Sequence, residues 1–265
     1  MTKPDFPSSS GPDAPSPAEP ERVFSGSGPV PDKNKPDSAE PGPVFAAIGI
    51  ARHRLFRDGQ GVTTLVAGYG CPLSCRYCIN AVCRDPAFRP KRFTVPDLYD
   101  RLRIDDLYFE ATDGGVTFGG GEPLLQADFI RDFIAFVRAR GKSWRFCVET
   151  SLAVPEENLA SVLSNAEKDA DMPVSEWLVD VKDTDPAIYR AYADHSPDRS
   201  LRNRMLRNLR TLAGRCPDQV TLRLPLIPGF NTDADRDRSE AALRAMGFTR
   251  FDRFDYVVPK AEEKK

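Results

Sequence analysis

From about residue 44 onward, segments with strand character alternate with segments of helical periodicity, and this alternation limits the fold more than any other feature of the chain. Val-Phe-Ala-Ala-Ile-Gly-Ile from Val44 and Val62-Thr-Thr-Leu-Val-Ala read as strands, and Asp97 to Ile104 reads as a helix opened by Thr94 and Pro96. Gly115 to Phe118 is a short strand. Ala127 to Arg140 carries apolar residues at 129, 130, 133, 134 and 137, a helical stripe ended by Gly141. Further strands are expected at Trp144–Val148, Trp177–Val181, Val220–Leu226 and Phe251–Val257. Helices are expected at Glu156–Ala166, around Leu201, Met205, Leu209 and Leu212, and at Ala234–Met246. Strands separated by helices pair in parallel through right-handed crossovers. About six such units predict an α/β fold, a partial (β/α)6 TIM-like barrel rather than a full eightfold one.

Side chains alternate across a strand. In Trp144–Glu149 one face carries Trp144, Phe146 and Val148, and the other Arg145, Cys147 and Glu149. Around residue 180 the apolar face carries Trp177, Val179 and Val181, and the other Leu178, Asp180 and Lys182; Arg223 likewise opposes Leu222 and Leu224. Helices must cover the apolar faces, so Arg145, Glu149, Asp180, Lys182 and Arg223 are expected to line the lumen. Charges removed from water need a partner. They either pair with one another or face a polar ligand, and the second reading is preferred.

Gly70-Cys71-Pro-Leu-Ser-Cys75-Arg-Tyr-Cys78 has the spacing C-x-x-x-C-x-x-C and directly follows a strand, at the strand end where barrel active sites lie. Thiolates are the soft ligands that iron–sulfur clusters use. Three of them leave one iron of a cubane open to a chelating molecule. A zinc site would need a fourth ligand, which Cys83 could supply. Cys83, Cys147 and Cys216 otherwise read as packed thiols.

Residues 1–43 hold 11 of the chain's 24 prolines and no apolar periodicity, so they are expected to form a disordered tail ahead of a core domain at 44–265. The formal net charge of −2 gives no global attraction to nucleic acid, and four arginines at 202, 204, 207 and 210 read as a solvated helix face. No apolar run approaches a membrane span, and the first residues lack a secretory pattern, so the expected compartment is the cytoplasm.

With these residues in view, the chain resembles the radical S-adenosylmethionine (SAM) superfamily, and within it the glycyl-radical-enzyme activating enzymes. The resemblance runs from about Ile48 to Pro228. It rests on Asp58-Gly-Gln-Gly-Val, the three-cysteine loop with Tyr77 and Asn80, Gly115-Val-Thr-Phe-Gly-Gly-Gly-Glu-Pro-Leu-Leu-Gln126, Glu149-Thr150, Asp180-Val-Lys182 and Pro225-Leu-Ile-Pro-Gly229. It implies that Cys71, Cys75 and Cys78 hold a [4Fe–4S] cluster whose fourth iron is chelated by SAM. It further implies that the Gly119, Gly120, Gly121 and Glu122 edge takes the methionine amino group, and that Asp180 and Lys182 contact the cofactor; Arg223, on the lumen face by alternation, is a further candidate cofactor contact. Tyr77 would cover the cluster near the adenine, and Glu149 and Thr150 match a position that helps bind a monovalent cation. Glu149 stands where an aspartate is common, and Phe254–Pro259 lacks the histidine expected near the last strand. No cysteine-rich insert for further clusters lies between Cys83 and Gly114, so an electron must come from an external reductant of flavodoxin or ferredoxin type.

Three functions are therefore weighed. The first is activation of a glycyl radical enzyme by hydrogen abstraction from it. The second is radical SAM chemistry on a peptide or small metabolite. The third is a non-catalytic iron–sulfur or zinc module, which would need neither the glycine strand nor Asp180 and Lys182.

Overall fold

The structure, a computed structural model, describes residues 42–55, 58–163, 173–194, 199–256 and 258. The expected N-terminal tail lies outside these residues except at its last positions. Two units divide the chain, Met1–Glu40 and Pro41–Lys265, and the described residues belong to the second.

Eight strands form one sheet: β1 Phe45–Leu55, β2 Val62–Gly68, β3 Lys91–Phe93, β4 Gly115–Gly120, β5 Arg145–Thr150, β6 Glu176–Asp180, β7 Val220–Leu226 and β8 Arg250–Asp255. Their order is β3-β1-β2-β4-β5-β6-β7-β8. β1 is antiparallel to both β2 and β3, and each successive pair from β2 to β8 is parallel. Six parallel strands thus make the expected partial barrel, and β1 and β3 extend one edge. Among the described residues seven α-helices accompany them: α1 Val95–Leu102, α2 Asp106–Thr112, α3 Ala127–Arg138, α4 Glu156–Leu163, α5 Pro186–Tyr192, α6 Leu201–Arg215 and α7 Asp233–Arg244.

Local chemistry explains the boundaries. Thr94 caps α1 in a reciprocal box with Asp97, and Thr232 and Asp235 repeat the device at α7. In α3 the predicted stripe Phe129, Ile130, Phe133, Ile134 and Val137 is wholly buried, each side chain contributing about 2 kcal/mol by leaving water. Phe118 and Phe146 meet that stripe from β4 and β5, with the Phe133 ring edge-on to both. Trp177, Val179 and Val181 are buried, as are Phe146 and Val148, so helices do cover the expected apolar faces.

Because the strands from β2 to β8 run parallel, the segments that follow them emerge on one side. The cysteine loop follows β2, Gly121 and Glu122 follow β4, Ser151 follows β5, Lys182 follows β6, Ile227–Phe230 follow β7 and Tyr256 follows β8.

Candidate active site

The cysteine loop is tied at many points to its surroundings. Gly70 N–H donates to the Cys83 carbonyl at 2.8 Å, Ser74 N–H to Ala193 at 2.8 Å and Arg76 N–H to Tyr192 at 3.1 Å. Asn80 Nδ2 donates to the Gly120 carbonyl at 3.0 Å, which joins the loop to the glycine strand. Tyr77, between two of the cysteines, packs edge-on against Phe230 and tilted against Tyr192, with ring centroids 5.8 and 6.0 Å away. Its carbonyl accepts the Tyr256 hydroxyl. Tyr256 thereby latches the end of β8 to the middle of the loop, across the segment that lacks the expected histidine. Tyr256→Phe keeps the ring contacts and loses one hydrogen bond worth about 1 kcal/mol, so loop-bound iron should be lost to a chelator about fivefold faster. The thermal midpoint of the metal-free protein should barely move.

Cys71, Cys75 and Cys78 are each partly buried. Cys71 hydrogen-bonds the Cys83 thiol; that contact and burial push the Cys71 thiol up, while the same contact draws Cys83 down. Burial also raises Cys75, against the pull of the Lys182 ammonium. Three cysteines on one loop are the thiolate donor set that an iron–sulfur cluster uses, with each thiolate bound to a separate iron.

Beside the loop lies a charged group built from four strands. Strand register sets Asp180 opposite Arg223, and Arg223 opposite Asp252. Lys182 Nζ donates to Asp180 Oδ2 at 2.9 Å, and Arg223 pairs with Glu149. Arg223 Nε also stands 3.6 Å from both Asp180 and Asp252. Burial alone would raise the Asp180 carboxyl, but Lys182 and Arg223 together bring it below the usual range. Glu149 moves up, through burial and the Asp180 charge. Burial opposes the Lys182 charge, yet Asp180 and Cys75 outweigh it and keep the ammonium charged. Asp180 Oδ1 is buried without a hydrogen-bond partner. A buried acceptor in that state is rare in native proteins and fits a ligand that brings a donor.

The glycine strand was expected to be bare so that backbone could approach a ligand; the missing side chains also serve the protein's own packing. A Cβ on Gly120, where φ is +85°, would come within 2.6 Å of the Ala67 Cβ, and one on Gly119 within 2.9 Å of Glu149 Oε2. At Gly121 it would overlap the carbonyl oxygens of Gly68 and Gly70, just ahead of Cys71. Gly121→Ala should therefore displace the start of the cysteine loop, lowering the stability of the metal-free protein by about 2 kcal/mol in urea unfolding.

Glu122 is 1% exposed, and four donors use up its carboxylate. Leu124 N–H and the Thr150 hydroxyl donate to Oε1, at 3.2 and 2.6 Å; Ser151 N–H and its hydroxyl donate to Oε2, at 2.9 and 2.6 Å. This carboxylate is a clamp between the segments after β4 and β5. Thr150, expected beside a cation, directs its hydroxyl to Glu122.

The structure thus gathers Cys71, Cys75, Cys78, Tyr77, Asp180, Lys182, Glu149 and Arg223 at one end of the sheet, with Gly120, Gly121, Glu122 and Thr150 beside them. Arg145 does not join them. It stands at the opposite end of β5 and pairs with Asp113 at 3.3 Å. The charges do pair with one another, yet Asp180 Oδ1, 3.6 Å from Arg223 Nε, is left without a hydrogen bond. Sequence reasoning missed Tyr256 and Ser151; Tyr256 is an aromatic side chain just past the last strand, where a ring closing the barrel mouth was a readable possibility.

Comparison with known proteins agrees with this geometry. Residues 65–239 match the family described as the Radical SAM superfamily. The chain is 31% identical over 229 residues to the pyruvate formate-lyase 2-activating enzyme of Escherichia coli (strain K12), covering 76% of this chain and 72% of that one. It is 30% identical over 169 residues to the indoleacetate decarboxylase activating enzyme of Tractidigestivibacter scatoligenes, covering 62% of this chain and 48% of the relative. It is 33% identical over 144 residues to the (2S)-3-sulfopropanediol dehydratase activating enzyme of Klebsiella oxytoca, covering 54% and 40%. The chain thus spans less than half the length of these last two relatives. Among solved structures, TYW1 with a lysine–pyruvate adduct superposes with a TM-score of 0.53 at 14% identity, covering 76% of this chain and 67% of that one. Streptococcus suis SuiB superposes with 0.52 at 12%, covering 76% and 42%. Both likenesses concern the fold alone.

Proposed function

The chain belongs to the radical SAM superfamily, whose members use a [4Fe–4S] cluster and SAM, and we propose that it activates a glycyl radical enzyme. The observation that carries this reading is the three-cysteine loop bound to the bare glycine strand through Asn80, with Lys182, Asp180 and Arg223 grouped beside it. The likeness to activating enzymes supports the substrate class.

In this reading Cys71, Cys75 and Cys78 hold the cluster. The backbone edge at Gly119–Gly121 receives the methionine amino group, Lys182 and Arg223 offer positive charge to its carboxylate, and Asp180 Oδ1 accepts from the ligand. When bound, the cluster and SAM would supply the radical chemistry for hydrogen abstraction from the substrate. The protein's part is positioning and exclusion of water. Glu149 and Asp252 hold the Arg223 guanidinium in place, Glu122 fixes the chain after β5, and the rings of Tyr77, Tyr192, Phe230 and Tyr256 wall off the loop. A monovalent cation would sit near Glu149 rather than on the Thr150 hydroxyl, which is already committed. An external one-electron reductant and a cytoplasmic setting complete the proposal; no helix among the described residues is long and apolar enough to cross a membrane.

The test is anaerobic reconstitution with iron and sulfide, then reduction in the presence of SAM. Release of 5′-deoxyadenosine is expected, and its absence from a cluster-loaded protein overturns the enzymatic reading. A glycyl radical signal in electron paramagnetic resonance is expected once a candidate glycyl radical enzyme is added. Cleavage without that signal across such partners would turn the assignment toward a peptide or metabolite substrate.

A further inference from the structure

We infer that the outer side of the cysteine loop, from Ile79 to Arg92, is the docking surface for an acidic one-electron carrier protein; this rests on the radical SAM reading above. The two sides of the loop differ. Its inner side faces Lys182, Asp180 and the glycine edge, where SAM and the substrate must meet. An electron therefore has to enter from the outer side.

Its centre is apolar. Ile79, next to Cys78, is 77% exposed, and Val82 is 39% exposed. Its rim is cationic. Residues 71–93 contain Arg76, Arg84, Arg89, Lys91 and Arg92 against the single acid Asp85, in a chain whose net charge is −2. All five cations are exposed, and none makes an ion pair among the described residues. Some arginines elsewhere on the surface are neutralised, as in Arg207–Glu156, Arg244–Glu240 and Arg253–Asp237. The patch is also continuous. Tyr69, just past β2, stacks on Phe88 at 6.1 Å and donates to the Asp85 carbonyl, which ties the middle of the segment to the start of the loop; Lys91 and Arg92 follow on β3, which pairs with β1.

An apolar centre with a charged rim is the anatomy of a transient protein interface, and unpaired cations select and steer an acidic partner. The chemistry asks little else of that partner: it gives up one electron, the cluster accepts it, and no bond forms or breaks. Ile79 and Val82, exposed beside Cys78 and Cys83, let the carrier come close to the loop itself.

The experiment compares the reconstituted wild type with an R84E/R89E/K91E variant, using purified flavodoxin as the acidic carrier. Flavodoxin affinity by calorimetry at low salt should fall at least tenfold in the variant, and wild-type binding should weaken as sodium chloride is raised. Flavodoxin-driven release of 5′-deoxyadenosine should fall with it, while dithionite-driven release stays unchanged. Unchanged affinity, salt-independent wild-type binding, or no wild-type binding at low salt overturns the inference. So does a parallel fall with dithionite, which would place the lesion in the cluster seat. Loss of glycyl radical transfer under dithionite with flavodoxin binding intact would assign the surface to the substrate protein instead. A wild type that holds its cluster but cleaves no SAM with dithionite sinks the radical SAM reading itself, a separate result.

Discussion

Cys75→Ala should leave a folded protein that no longer holds iron. The side chain is only partly buried, in a loop, so its removal opens no core cavity. The loop keeps its backbone ties at Ser74, Arg76 and Asn80. What disappears is one of three anchors on the cluster. Losing even a residue that merely orients a metal ligand costs 10- to 100-fold in affinity, so loss of a ligand should lower iron retention by at least about 100-fold. Cys75 is also the cysteine whose charge couples to Lys182, so the variant frees that ammonium from one partner. Iron analysis, visible absorbance and 5′-deoxyadenosine release check the outcome, with circular dichroism as the control for folding. Cys83→Ala is the informative contrast. That thiol is buried and meets Cys71, but a cubane bound by three thiolates does not need it, so Cys83→Ala should keep its iron. If Cys83→Ala loses metal as fully as Cys75→Ala, four thiols are ligands and the open iron disappears from the account.

The contrast between α3 and α5 shows what the sequence could and could not reveal about the fold. The α3 stripe follows the helical period over twelve residues and is buried as read. The short helix α5 offered no such stripe; its signal is Asp185 capping ahead of Pro186, a start signature that was legible but not used. Neither α2 nor β3 had a comparable local signature. In α2 Leu107 and Tyr108 point to solvent, and β3 is three residues whose strand character comes from pairing with β1. The antiparallel setting of β1 is likewise a matter of tertiary pairing. Within the site, residues that share a strand were visible from alternation: Asp180 and Lys182 do lie on one side and bond to each other. Partners on different strands were not. Glu149 meets Arg223 across 74 positions, and only sheet register brings them together. The glycine strand was read for what it could admit, while the carbonyl oxygens of Gly68 and Gly70 that crowd Gly121 come from the end of β2 and the loop after it.

The same reasoning makes Glu122 the most sensitive side chain outside the cysteines. Glu122→Ala removes one acceptor group and strands four donors, two of them backbone amides, in a site without solvent. Each such group left unsatisfied costs on the order of 1–3 kcal/mol, partly recovered if water enters the space, so a net loss of about 3 kcal/mol is expected. Because the clamp joins the segments after β4 and β5, SAM affinity should fall with stability, even though Glu122 has no free valence to offer the ligand. Glu122→Gln keeps the shape and turns one acceptor into a donor. The Thr150 hydroxyl can reverse to accept from it, while the Ser151 amide cannot, so the amide should orient toward Thr150; the Leu124 N–H then loses its acceptor, a loss on the order of 1–3 kcal/mol. Acidity separates the two variants from the wild type further. Burial raises the Glu122 carboxyl above its ordinary value of 4.5, against the four hydrogen bonds that favour its charge. The folded state therefore holds this proton to higher pH than the unfolded chain does. The contribution is fully present below pH 4.5 and declines as pH rises through the folded value. The stability difference between wild type and Glu122→Gln, followed by urea unfolding of the metal-free proteins, should accordingly shrink as pH is raised above 4.5. A difference that grows over that interval would mean that the four donors outweigh desolvation, and that the clamp works as a permanent anion.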